Sequence, residues 1–124
     1  MPSPANTDMP ADVLLVEDDP IIALDADETM LALGVARVRT AARVSEALQM
    51  IDERQPDFAL LDIGLRGETS FEVAERLAAL GIPFAFATGY SNDLPIPRAF
   101  AQQPRLMKPC SADDLASVLK MSRR

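Results

Sequence analysis

Short apolar runs alternate five times along the chain with longer stretches whose apolar residues recur at helical spacing. Val13–Val16 carries no polar alternation, as a strand buried on both faces requires. Asp19-Pro20 reads as an N-cap followed by a residue suited to the first helical position. Ile22, Ala26, Met30 and Leu33 then fall on one helical stripe, and Gly34 ends it. Val35–Thr40 predicts a weaker second strand. Ser45 is placed to cap a helix that carries Ala47, Leu48 and Ile51 and stops near Pro56. Phe58–Ile63 is a second buried run, interrupted only by Asp62. The loop GLRGET, residues 64–69, leads to a helix with Phe71, Ala74, Leu77 and Ala78 inside. Ile82–Thr88 predicts the next strand and Arg105–Lys108 a short fifth one. Ser111 with Asp114 three residues on makes a capping box for a last helix that buries Leu115, Val118 and Leu119. Pro95 and Pro97 exclude a regular helix over Ser91–Gln103, so a loop or a single short turn is expected there.

Alternation of this kind builds a parallel sheet with helices on both faces. Five units predict an α/β, flavodoxin-like doubly wound sheet of order 2-1-3-4-5, with a shortened or irregular fourth helix. Ligands of such sheets bind at the carboxyl ends of the strands. Residues 1–10, with three prolines, read as a flexible lead-in. That leaves 11–124 as one domain.

Composition narrows the chemistry. With no His among 124 residues, the Ser-His-Asp and Cys-His systems, the usual zinc sites and a phosphohistidine role are all excluded. One Cys allows no internal disulfide. Nineteen acidic residues against twelve basic ones give a net charge of −7, which argues against a nucleic-acid partner. No apolar run approaches the roughly 20 residues that cross a bilayer, and residues 1–10 do not form a signal peptide. A cytoplasmic protein without a membrane partner is the default expectation. Chemistry must then rest on carboxylates, hydroxyls and lysine.

Those residues sit where the fold predicts a site. The first apolar run ends in Glu17-Asp18-Asp19, the third in Asp62, the fourth in Thr88 and the fifth in Lys108. Parallel strands bring all these ends to one edge. Clustered carboxylates repel one another unless a cation sits between them, and a hard divalent ion with oxygen ligands is the natural answer. A carboxylate is also a nucleophile toward phosphorus. The metal, the Lys108 ammonium and the Thr88 hydroxyl together suffice to contact three phosphoryl oxygens.

VLLVEDDP, LLD at 60–62, ATG at 87–89 and MKP at 107–109 resemble the signatures of response-regulator receiver domains. The resemblance spans about residues 12–121, and the strength of the match lies in four motifs in order at these spacings. PFAFATGY, residues 83–90, resembles the PFxFATGY motif of a receiver subgroup associated with histidine kinases of the HWE/HisKA2 type. The resemblance implies Asp62 as phosphoacceptor, and Glu17, Asp18, Asp62 and the Gly64 backbone carbonyl as ligands of Mg²⁺, with Mn²⁺ a possible substitute. It implies Thr88 and Lys108 as phosphoryl-contacting residues, a cis Lys108-Pro109 bond, and a histidine kinase or histidine phosphotransfer protein as partner. Apart from its own aspartyl phosphorylation and dephosphorylation, no enzyme activity is expected.

The chain also departs from that pattern. Arg105 stands where many receivers carry an aromatic switch residue, Arg66 where Pro is usual, Ser70 where Gly is usual, and Cys110 where an aromatic is frequent. Signal transmission through Thr88 and the segment after Tyr90 is the expectation that follows. The bland readings make Asp19 a helix cap, Cys110 a packed or half-exposed thiol and Arg105 a solvated strand-end charge. Tyr90 is open between packing and switching. Two other functions compete with the phosphorylated module: a receiver-like interaction domain that works without phosphorylation, and a haloacid-dehalogenase-like phosphatase. The last would want an Asp at position 64, which is Gly. Oligomeric state is not legible.

Overall fold

The computed structural model of the chain describes residues 9–89 and 96–121. Two wholly buried strands, β1 (Asp12–Val16) and β3 (Phe58–Asp62), form the centre of a five-stranded sheet. β2 (Arg37–Ala41) pairs with the outer side of β1, while β6 (Phe84–Thr88) and β7 (Arg105–Met107) extend the other side. The order β2-β1-β3-β6-β7, with every pair parallel, is the predicted 2-1-3-4-5 arrangement. Between β3 and β6 the GLRGET loop forms a small antiparallel hairpin, β4 (Gly64–Leu65) and β5 (Glu68–Thr69).

Strand alternation sorts the core into two layers. Leu14, Val16, Leu61, Phe84 and Phe86 pack against α2 (Val44–Glu53) and α3 (Phe71–Leu80). Val13, Leu15, Leu60, Ala85 and Ala87 face the opposite way, onto α1 (Pro20–Ala32) and α4 (Ala112–Met121). The described part of the proline-containing segment holds a single 3₁₀ turn, Arg98–Phe100, as expected. Its Phe100 is buried against Phe71, Phe84 and Phe86, with ring centroids 5.8–6.4 Å apart. Ser91–Pro95 and Tyr90 lie outside the described residues.

Four expectations are corrected. α2 begins at Val44, so Ser45 is inside the helix rather than its cap. Glu68 serves the helix end instead, its Oε2 accepting from the Val44 amide at 3.0 Å, while Glu46 Oε1 reaches back to the Ala42 amide just before the helix at 2.9 Å. β2 starts two residues later than Val35, because the Val35 amide closes the end of α1 on the Met30 carbonyl. The stripe of α1 is turned: Ala23 and Met30 are buried while Ile22 is exposed, because the first helical turn flanks an open groove. Met9 is buried in the core, so the expected flexible lead-in does not reach it. Residues 1–8 lie outside the described residues.

The amino-terminal edge of the sheet is tied by charge. Asp12, 3% exposed, pairs through Oδ1 with Arg39 Nε at 3.1 Å and through Oδ2 with Arg54 Nε at 3.0 Å. Arg39 also donates to the carbonyls of Met50 and Arg54 at 3.0 and 2.8 Å, clamping β2 to the end of α2. Removing one partner of such a network leaves buried acceptors without donors. Arg39→Ala is therefore expected to cost about 2–4 kcal/mol in urea unfolding. A loss below about 0.5 kcal/mol would mean that the clamp contributes nothing.

Candidate functional site

The parallel register brings the carboxyl ends of β1, β3, β6 and β7 to one edge. β1 ends at Val16, and the Glu17 amide continues its ladder by donating to the Ala41 carbonyl. The chain then turns into α1. Asp19 caps that helix as predicted, its Oδ1 accepting from the amides of Ile21 and Ile22 at 2.9 and 3.2 Å. The Asp19 amide in turn donates to Glu17 Oε2 at 3.1 Å, which fixes the Glu17 carboxylate. β3 delivers Asp62 at its last position, where Asp62 pairs with Ala87 across the sheet.

Lys108 follows β7 and is held by its own amide, which donates to the Thr88 carbonyl at 2.8 Å. Its Nζ lies 3.0 Å from Glu17 Oε1 and 3.0 Å from Asp62 Oδ2. Both carboxylates are buried, at 4% and 3% exposure. The Lys108-Pro109 bond is cis, as the resemblance implied. Asp18 completes the group: Glu17, Asp18 and Asp62 each offer a carboxylate oxygen within 4.8 Å of the others.

Three carboxylates thus face one ammonium. Burial pushes the Asp62 and Glu17 carboxyls above their ordinary range, and this is only partly offset, at Glu17 by the Asp19 amide and then Lys108, at Asp62 by Lys108. For Lys108, burial acts downward, but the bonds to Glu17 and Asp62 outweigh it and hold the ammonium above its usual value. Asp62 Oδ1 is buried and accepts no hydrogen bond among the described residues. An orphaned anionic oxygen beside two further carboxylates is the donor set of a hard divalent cation. The residues present fit such an ion.

The other predicted residues are placed less directly. Thr88 ends β6, half-buried, and its hydroxyl donates to the Gly89 carbonyl at 3.1 Å rather than to a carboxylate. Gly64 opens the hairpin two residues after Asp62 and is half-buried. Arg105 is exposed at the start of β7, as a solvated charge should be. Cys110 is half-buried; burial, then Asp114, pushes its thiol up, which fits a packed thiol rather than a reactive one. It lines a groove of about 620 Å³ beside the site, together with Ile21, Ile22, Pro109 and Lys108.

Three groups escaped the sequence reading. The Arg66 amide donates to Asp18 Oδ2 at 2.9 Å. Glu68 caps α2 from the hairpin, 24 residues away in sequence. Ser70 is fully buried, its hydroxyl without a partner among the described residues, while its amide donates to the Ile63 carbonyl at 3.0 Å. The Arg66-Gly67 pair was the available turn signal for the first of these.

Residues 13–120 match the family described as the response regulator receiver domain. The positive alginate biosynthesis regulatory protein of Pseudomonas aeruginosa is 34% identical over 116 residues, covering 90% of this chain and 47% of that protein. The transcriptional regulatory protein PdtaR of Mycobacterium tuberculosis is 26% identical over 121 residues, covering 95% of this chain and 59% of that protein. The chain thus spans about half the length of these curated relatives. Among solved structures, SdrG from Sphingomonas melonis Fr1 superposes with a TM-score of 0.80 at 40% identity, covering 90% of this chain and 95% of that one. The PhyR stress response regulator superposes with a TM-score of 0.76 at 26% identity, covering 95% of this chain and 47% of that one. Sheet order, the acidic cluster at the strand ends and these matches agree: the chain belongs to the response-regulator receiver domain family.

Proposed function

We propose that this chain accepts a phosphoryl group on Asp62 from a histidine kinase or histidine phosphotransfer protein, using Mg²⁺ held by Glu17, Asp18, Asp62 and the Gly64 carbonyl. Mn²⁺ would serve in its place. The observation that carries the reading is Asp62 itself. It is 3% exposed, has Oδ2 on Lys108 and Oδ1 without a partner among the described residues, and belongs to the acidic cluster with Glu17 and Asp18. The PFAFATGY stretch at 83–90 supports a kinase of the HWE/HisKA2 type. The likeness to SdrG, whose BeF₃-activated conformation superposes at a TM-score of 0.76 and 38% identity, supports a phosphorylation-dependent module.

In this reading an Asp62 carboxylate oxygen attacks phosphorus, the bond to the donor nitrogen breaks, and the imidazole leaves with the electron pair. The divalent ion supplies charge neutralisation for the phosphoryl oxygens when bound. Lys108 is already at Asp62, so its ammonium needs no long movement to pair with the added phosphoryl group. Thr88, at the adjacent strand end, would exchange its bond to the Gly89 carbonyl for a phosphoryl oxygen. That exchange would alter the backbone leading into residue 90 and pass the modification on to a protein partner.

Intact mass after incubation with acetyl phosphate should show one added phosphoryl group that requires both Mg²⁺ and Asp62, and Asp62→Ala should show none. An unmodified mass, under conditions that modify a known receiver, would point to a phosphorylation-independent interaction module. The electrostatics give a second test. Because folding raises the Asp62 and Glu17 pKa values, there is no penalty below the ordinary carboxylate range, and the full penalty holds above the raised values. Stability is therefore lost as pH rises through that window. Without added metal, Asp62→Asn should melt higher than the parent at pH 7, by on the order of 4 °C for each kcal/mol relieved. The gap should narrow as the pH falls through the raised range, where the parent carboxylates take up protons, and be smallest below the ordinary carboxylate range. A variant that melts lower at pH 7 would contradict the charge assignment.

A further inference from the structure

The hairpin that follows Asp62 is joined to the acidic cluster by one hydrogen bond. Leu65 pairs with Glu68, which leaves Arg66 and Gly67 as the two turn residues. Gly67 has φ of 75°, and among the described residues none other than glycine has a positive φ. A negative φ at the first central position and a positive one at the second is the signature of a type II turn, in which proline is common at the first position. Proline is thus a residue that this turn position commonly takes, and the Arg66 side chain is exposed. What proline would lack is the N–H, and that N–H donates to Asp18 Oδ2 at 2.9 Å. Among the described residues the Asp18 carboxylate accepts no other hydrogen bond.

The hairpin does not depend on this bond for its own position. Its base is closed by the Ser70 amide on the Ile63 carbonyl at 3.0 Å, and its second strand is fixed to α2 by Glu68 on the Val44 amide at 3.0 Å. Asp18 has no such independent anchor. It is half-buried at the start of a loop, next to two carboxylates that repel it. The bond therefore orders the carboxylate more than it orders the loop.

We infer that the Arg66 backbone amide is a positioning group for the cation site, holding Asp18 Oδ2 so that the other oxygen is presented toward Glu17 and Asp62. The inference rests on the metal reading above. Partners that orient a metal-ligating carboxylate typically contribute about 10–100-fold to metal affinity. Here the orienting donor is main chain, so its effect is independent of the residue at position 66 unless that residue is proline.

Titration calorimetry of Mg²⁺ into the full chain tests this with three proteins. Arg66→Pro should weaken Mg²⁺ binding by about tenfold or more, whereas Arg66→Ala, which keeps the N–H and removes the guanidinium, should stay within about twofold. Melting without added Mg²⁺ should be equal for the parent and Arg66→Pro, which separates positioning from folding. Parent-like affinity in Arg66→Pro, or equal weakening in both variants, would overturn the inference and leave the metal site standing. A parent that takes up no Mg²⁺ would overturn the metal reading and this inference with it. Should Arg66→Pro not fold, amide exchange decides. The Arg66 N–H should exchange slowly in the parent and fast in Asp18→Ala, and equal rates in the two would overturn the inference.

Discussion

The Lys108 ammonium reaches Glu17 and Asp62 at 3.0 Å each, and this bridge governs what the rest of the structure must do. Two nearly buried carboxylates cannot share a small space at neutral pH without a cation between them. The bridge requires β1, β3 and β7 to end at the same level, although β7 does not neighbour either of the other two in the sheet. β6 makes that possible. It pairs with β3 on one side and β7 on the other, and the Thr88 carbonyl receives the Lys108 amide just beyond the ladder. A register slip of one residue would turn Lys108 to the other face and leave two buried charges unpaired.

One ammonium does not balance three carboxylates. Burial above all, with a smaller push from the neighbouring carboxylates, raises the proton affinity of Asp62 and Glu17, and Asp62 Oδ1 has no donor among the described residues, so the site is incomplete as a purely structural cluster. The same imbalance gives the site its chemical capacity. In the proposed reading it is what draws a divalent ion to the site and leaves an Asp62 oxygen free to act as the nucleophile. The cost falls on a small sheet stabilised elsewhere, by the two apolar layers and by the Arg39–Asp12–Arg54 clamp at the far edge.

Much of this was legible in the sequence because the signals are local or strictly periodic. Val13–Val16 and Phe58–Leu61 are continuous apolar runs, and a run ending in a charged residue marks both a strand and its exit from the core. The Asp19 cap and the Ser111–Asp114 box involve neighbours within three residues, and both are present, the latter with Ser111 Oγ accepting from the Asp114 amide at 3.0 Å. The misses are non-local. Ser45 reads as a reasonable cap for α2, but the first helical amide, Val44, is taken by Glu68 from 24 residues away. Ile22 kept helical spacing with Met30, yet which side of α1 meets the sheet depends on the groove at its first turn. The Arg66 contact with Asp18 spans 48 residues, and its donor is a backbone group that residue identity does not reveal.

The central claim is that the carboxyl edge of the sheet is a cation-deficient site centred on Asp62, and the response of stability to Mg²⁺ tests it most directly. At pH 7, millimolar Mg²⁺ should raise the melting temperature of the parent chain by several degrees, since an ion that binds the folded state alone stabilises it by about 2.7 kcal/mol at a hundredfold excess over Kd. Asp62→Asn should gain much less, because it lacks both the charge and the unpartnered oxygen. Equal gains in the two proteins, or none in the parent, would contradict the account.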